Sequence, residues 1–231
     1  MPDPVASCIS RVYQCVTGQN PVPMSNVPYS AITVTGEDAF DFLQAQLAAD
    51  LNDLPEGGLS AWCNPKGRVI CLFRTRKTEH GFELALPAEL TAAVARRLTM
   101  FRFRSKVEFA TGAVDAEGLG VGDDYEGWRL ANLKAGIPEI LTAQSEEFTP
   151  HMLNLDLLGA VSVSKGCYPG QEIVSRTHFR GKTRRRMLRF ESAAPVAPGA
   201  KVSLDGRDVG EVLNAIGTDP VSYTHLRAHE T

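Results

Sequence analysis

Two runs of β-forming residues, 59–63 and 69–75, are joined by Asn64-Pro65-Lys66-Gly67, and no other feature of the chain restricts its fold so sharply. Each residue type in the joint favours a turn for its own reason: asparagine bonds to nearby backbone, proline fixes φ, and glycine reaches positive φ. The two runs are therefore predicted to be antiparallel neighbours in a hairpin. The flanking segments extend the same unit. Residues 29–34 form a short β-branched run, Thr35-Gly36-Glu37-Asp38 a turn and helix cap, and Phe40, Leu43, Leu47 and Leu51 fall at helical spacing. A strand is expected over 82–86, a helix over 88–101 just past Pro87, and a returning strand over 106–109.

From 111 to 126 the composition shifts to Gly, Asp and Glu with little apolar content, which marks a loop or seam. Beyond it, 128–130 reads as a strand, 135–141 and Ser145-Glu146-Glu147 as loops or short helices, and 152–158 as a compact apolar segment. After a Pro- and Ala-rich connection, 202–204 and 209–213 flank Asp205-Gly206 and predict a second hairpin. The organisation expected is a loosely ordered lead-in over 1–28, a first domain over 29–110 and a second α+β domain over 111–190. An all-β unit over 191–219, too short to close a core, and a foreign-looking tail over 220–231 without strand pattern complete it. The fold class is α+β, with segregated antiparallel strands and helices.

With 24 Lys and Arg against 27 Asp and Glu, the net charge of -3 exerts no overall pull toward nucleic acid or acidic membrane, so any basic site is local. The N-terminus has neither a basic region followed by an apolar run nor a stretch of membrane-spanning length, so a cytoplasmic location without a membrane partner is expected. Cys8, Cys15, Cys63, Cys71 and Cys167 are odd in number and form no Cys-x-x-Cys pair. Reduced thiols are expected, including Cys63 and Cys71 beside the hairpin turn.

The chemistry concentrates between 161 and 187. Gly166, Pro169 and Gly170 shape a tight loop, and 171–177 is a short helix whose free N–H groups would face that loop. Cys167 would sit near the positive helix end, with Lys165 two residues before it, an arrangement that favours thiolate. Two readings of Cys167 stay open at this point, a reactive thiol and a small buried hydrophobe. His178, eleven positions on, makes a poor partner base. Arg176, Arg180, Lys182, Arg184, Arg185, Arg186 and Arg189 form a run without any acid. Such a run suits the glutamate tail of a folate, the backbone of an RNA, or a solvated strand edge. Phe101-Arg102-Phe103-Arg104 alternates as a strand with one buried and one solvent face would.

Lys165-Gly166-Cys167-Tyr168-Pro169-Gly170-Gln171-Glu172 resembles the signature octapeptide of the YgfZ family. Companion segments follow the family's order: Asn64-Pro65-Lys66-Gly67-Arg68, Phe103-Arg104-Ser105-Lys106-Val107, Gly136-Ile137-Pro138, Leu153-Asn154-Leu155 and the stretch from Arg176 to Lys182. The resemblance implies an aminomethyltransferase-like, folate-binding α+β fold followed by a C-terminal β-barrel, here cut short. It implies tetrahydrofolate or a one-carbon derivative as cofactor. The partners implied are the iron–sulfur cluster assembly machinery or its client proteins, among them radical enzymes that modify tRNA, with RNA contacted at most indirectly.

By the motif, Cys167 carries over as the functional thiol, able to meet a metal only with a partner's ligands, because a lone thiolate cannot hold a cluster that wants four. Lys165, Gln171, Glu172, Arg176 and Arg180 become candidate folate contacts. Ala45 and Ala48 stand where the family usually has Gly and Thr. The related transferase needs a carboxylate after its Gly-rich hairpin turn, and residues 66–72 contain no acid, so an accessory factor is expected rather than an aminomethyltransferase. The alternatives are another folate-dependent one-carbon transferase and an RNA-binding module using 176–189.

Overall fold

The computed structural model describes residues 29–54, 56–114, 125–181, 185–192, 194–204, 206–216 and 221–227. The lead-in over 1–28, with Cys8 and Cys15, lies outside the described residues.

Five antiparallel strands form the first sheet: β1 (Tyr29–Thr35), β2 (Gly57–Cys63), β3 (Val69–Thr78), β4 (Gly81–Pro87) and β5 (Glu108–Ala113), in the order β2-β3-β4-β1-β5. The expected hairpin is β2–β3, with Trp62 opposite Cys71 and a register shift at Cys63. Strand β5 runs on through Ala113, so the sheet claims the start of the segment read as a seam. Against one face pack α1 (Ala39–Gln46) and α2 (Ala88–Met100), burying Phe42, Leu43, Leu90, Val94 and Leu98 against Ile32, Val34, Trp62 and Phe73. Helix α2 starts directly behind Pro87, whose fixed φ suits a helix entrance.

Helix α1 is shorter than the leucine spacing predicts. It stops at Gln46, and Ala48 donates to the Ala61 carbonyl, tying the chain to β2 in extended form. Phe42 faces the core while Phe40 is 38 % exposed. Residues 101–106 are a turn and not a strand: Phe103 has φ 42 and is 85 % exposed.

The hairpin β2–β3 is buried on both faces. Trp62, Cys71 and Phe73 belong to the helix side, whereas Ala61, Cys63, Val69 and Leu72 face a second core with Leu133, Ile140, Leu153, Leu155, Tyr168 and Met187. Cys63 and Cys71 are thus free thiols in different cores, and burial pushes Cys63 up to about 12. Residues 128–130 belong to helix α3 (Tyr125–Lys134), not to a strand; Arg129 and Leu133 make its inner face. Helix α4 (Gln171–Arg180) follows the motif loop, three residues longer than expected.

The C-terminal strands β6 (Arg185–Glu191), β7 (Lys201–Leu204), β8 (Arg207–Ile216) and β9 (Val221–Arg227) form a second antiparallel sheet in the order β6-β9-β8-β7. Two expectations change here. Residues 221–227, read as lacking a strand pattern, pair along their whole length with β6 and also with β8. Among the described residues, the sheet is open rather than a closed barrel. It docks on the second core through Leu213 and Ile216, and Asn214 fixes the contact by accepting from the Glu139 N–H at 2.9 Å and donating to its carbonyl at 2.8 Å.

Candidate functional site

The octapeptide loop rests on the β2–β3 turn. Asn64 Oδ1 accepts from the N–H groups of Lys66 and Arg68 at 2.9 and 3.0 Å, and Asn64 Nδ2 donates to Glu146 Oε1 at 3.1 Å. Glu146 also accepts from Arg97 at 2.8 Å, and these donors hold its carboxyl below the usual carboxylate range. Gly170 lies on this turn with φ 82, and a Cβ there would come within 2.5 Å of the Asn64 carbonyl and 2.7 Å of Gly67 Cα. Two motifs separated by a hundred residues are therefore one structure, and glycine at 170 meets a double demand of left-handed backbone and close approach.

Lys165 is 8 % exposed, and its Nζ donates to three carbonyls at the end of α1: Gln44 at 2.5 Å, Leu47 at 2.8 Å and Ala49 at 3.0 Å. An ammonium has three N–H groups, so all three are taken. Its cation complements the negative end of α1 and supplies the donors that this helix end lacks. Burial pulls Lys165 down to about 8, with nearby Asp50 acting in the opposite direction. Asp50 in turn accepts from Asn52 and Gln44, which lowers its own value.

Gln171 closes the loop from the other side, donating to the carbonyls of Lys165 at 3.0 Å and Gly166 at 3.3 Å. Tyr168, 6 % exposed, is in the second core, and its hydroxyl donates to the Ser162 carbonyl at 3.0 Å. Between these inward-facing neighbours Cys167 is exposed. The buried-hydrophobe reading of Cys167 is thereby excluded.

Glu172, Arg176 and Arg180 lie exposed on α4, apart from the loop's internal hydrogen bonds. The basic run is divided. Arg185 and Arg189 are exposed on β6, while Arg186 is bound to Asp156 through both carboxylate oxygens at 2.6 and 2.9 Å. Lys182 and Arg184 lie outside the described residues.

Two recesses adjoin this region. One, of about 520 Å³, opens between the hairpin turn, the 143–152 segment and the second sheet, lined by Arg68, Phe148, Met152, Arg185 and Glu211 among others. It lies within the usual range for small-molecule sites, about 300–1,000 Å³. The other, about 20 Å³, lies between Tyr29, Arg74, Trp128, Arg129 and Glu139. That volume holds little more than a water. Its walls are locked: Arg74 stacks over Trp128 at 4.7 Å, and Arg129 donates to Glu139 at 2.7 Å. Sequence reasoning missed the larger recess, because Arg68 and Arg185 are far apart in the chain and only the fold joins them.

Sequence spacing likewise does not show what surrounds His178. His151, Asp156 and His178 place one potential ligand atom each within 4.8 Å of one another. His151 is 2 % exposed, and among the described residues neither of its ring nitrogens has a hydrogen-bond partner. Burial pulls this imidazole below its ordinary value.

No family model matches the chain. Among curated relatives, a tRNA-modifying protein YgfZ of Klebsiella pneumoniae is 26 % identical over 83 % of this chain and 80 % of its own. An Escherichia coli protein of the same name is 26 % identical over 81 % and 79 %. An uncharacterized Haemophilus influenzae protein is 28 % identical over 88 % and 87 %. Among solved structures, the glycine cleavage system aminomethyltransferase T of Bartonella henselae superposes with a TM-score of 0.66 over 86 % of this chain and 76 % of its own, at 15 % identity. No helix among the described residues is long and apolar enough to cross a membrane. Octapeptide, sequence relatives and aminomethyltransferase-like fold agree, and the chain is a relative of the YgfZ proteins.

Proposed function

We propose that the chain binds tetrahydrofolate or a one-carbon derivative and serves iron–sulfur cluster assembly or repair, in support of tRNA-modifying enzymes, as an accessory factor and not as an aminomethyltransferase. The observation that carries the reading is the 165–171 loop, which buries Lys165 and Tyr168 and leaves the Cys167 thiol exposed. The fold resembles that of a glycine cleavage system aminomethyltransferase, and the relatives' name supplies the link to tRNA modification.

In this reading the 520 Å³ recess takes the folate. Arg68 and Arg185 offer guanidinium forks for its glutamate carboxylates, and Phe148 and Met152 offer apolar contact for its ring system. Arg176, Arg180 and Glu172 on α4 are further ligand or partner contacts. Lys165 and Gln171 serve the site by holding the loop in shape. Cys167 meets iron, a cluster or a partner thiol, with the remaining ligands supplied by assembly machinery or client. The absence of an acid in 66–72 argues against transferase chemistry of the chain's own.

Anaerobic calorimetric titration with tetrahydrofolate tests the cofactor. Saturable binding is expected, weakened at least tenfold by Arg185→Ala and unchanged by Cys167→Ser. No binding by a folded sample removes the folate reading. The thiol is tested separately, by expressing Cys167→Ser in a strain lacking the protein: loss of radical-enzyme activity is expected, and full restoration overturns the role of Cys167.

A further inference from the structure

We propose that His151, Asp156 and His178 form a binding site for a divalent transition-metal ion of the zinc or ferrous type, independent of the folate recess and of Cys167. Three ligands converge from separate segments. His151 comes from the short 3-10 turn Pro150–Leu153, Asp156 from the turn after it, and His178 from the last turns of α4.

Two independent features favour a ligand over a packed histidine pair. A buried imidazole ordinarily satisfies its polar atoms, yet His151 is 2 % exposed with Nδ1 and Nε2 both lacking partners among the described residues. An ion would satisfy one of them in the one direction from which a carboxylate and a second imidazole also approach. The donor set is the second feature: two imidazoles and one carboxylate suit zinc and non-haem ferrous iron, and leave coordination positions open.

The ligand atoms lie within 4.8 Å of one another in the empty cluster. Bonds of about 2.0–2.2 Å around a tetrahedral ion place ligands about 3.3 Å apart, so closure asks for a contraction. His178 can supply it because it is exposed on the helix surface.

Arg186 bears on the site from β6. It donates to both oxygens of Asp156, at 2.6 and 2.9 Å, and so fixes the carboxylate's orientation as outer partners of metal ligands do. Each oxygen keeps a second lone pair for an ion. The guanidinium charge also repels a cation, so affinity falls below that of a site with a neutral outer partner.

The test uses the full chain, freed of metal by chelator dialysis and titrated anaerobically with Co²⁺ in place of the native ion. Visible d–d absorption of nitrogen and oxygen coordination is expected to rise saturably and to be displaced by Zn²⁺. His178→Ala, at an exposed position that leaves the fold intact, should weaken binding at least tenfold with unchanged circular dichroism, and Cys167→Ser should leave it unaltered. His151→Gln, confirmed folded by the same spectrum, should behave like His178→Ala. Absence of absorption up to millimolar Co²⁺, retention of full affinity in His178→Ala, or loss of binding only in Cys167→Ser each overturns the site.

Discussion

Replacing Lys165 by Met keeps most of the stem but removes the ammonium that closes the end of α1. Its three bonds go to Gln44, Leu47 and Ala49 carbonyls. Left without a donor, these three carbonyls cost about 1–3 kcal/mol each, so about 3–9 kcal/mol is lost. The opposing term is the charge's burial, which lowers Lys165 from 10.5 to about 8. At 1.36 kcal/mol per pH unit this returns about 3 kcal/mol when the charge is gone. The variant is therefore expected to be up to about 6 kcal/mol less stable at pH 7, with each kcal/mol lowering Tm by about 2–4 °C for a chain of this size.

The pH dependence has a definite sign. The folded value lies below the unfolded one, so between about 8 and 10.5 the unfolded wild type binds more protons than the folded protein. Stability from this group then rises with pH across that window. Buried Cys63 and Tyr168 act in the opposite direction at high pH, but wild type and variant share them. The gap between the two proteins isolates Lys165. Urea unfolding at pH 7, 8, 9 and 10, followed by tryptophan fluorescence, should show the gap widening as pH rises. A gap that stays flat or narrows would refute the claim that burial outweighs the carbonyls in setting the lysine's charge.

Gly170→Ala should cost at least about 3 kcal/mol, because a left-handed alanine loses about 1–2 kcal/mol and its Cβ would lie 2.5 Å from the Asn64 carbonyl. Gly159→Ala is the control, with φ +69 and nothing within 4 Å; in urea melts it should show the backbone cost alone. Native alkylation followed by peptide mass mapping should label Cys167 and spare Cys63 and Cys71 until the chain unfolds, since only the first of these three is exposed. Lys165→Arg should destabilise nearly as much as Lys165→Met in the same melts, because a planar fork cannot aim three N–H groups at carbonyls converging on one point.

The first sheet was legible from local patterns because turn chemistry and alternation are written over a few adjacent residues. The Asn64–Gly67 turn and the helix behind Pro87 need no distant partner to be recognised. Failures came where tertiary bonds override local preference. The leucine spacing of α1 continues past Gln46, but the Leu47 and Ala49 carbonyls are taken by Lys165, more than a hundred residues away. Residues 128–130 look like a strand in isolation, and become helical where Arg129 reaches Glu139 and Leu133 enters the second core. Residues 221–227 show no alternating apolar pattern, yet backbone pairing with β6 and β8 suffices to extend them. At the site, Lys165 was read beside Cys167 while its Nζ lies at the end of α1, because proximity in sequence says nothing of where a long side chain points.

The octapeptide is tied into the fold at several points. The Lys165 cation is held inside the protein, by the carbonyls of Gln44 in α1 and of Leu47 and Ala49 just beyond it. The side chains of Lys165 and Gln171 hold the loop in shape. Lys165 pins the loop's start to α1, Gln171 ties its carbonyls to α4, Tyr168 sinks into the second core, and Gly170 lets the whole turn lie against Gly67. Lys165, Gly170 and Gln171 meet the end of α1, the β2–β3 turn and α4 respectively, so the thiol is displayed at a point to which all three contribute. A change that loosens one anchor is expected to alter Cys167 access before it alters the global fold.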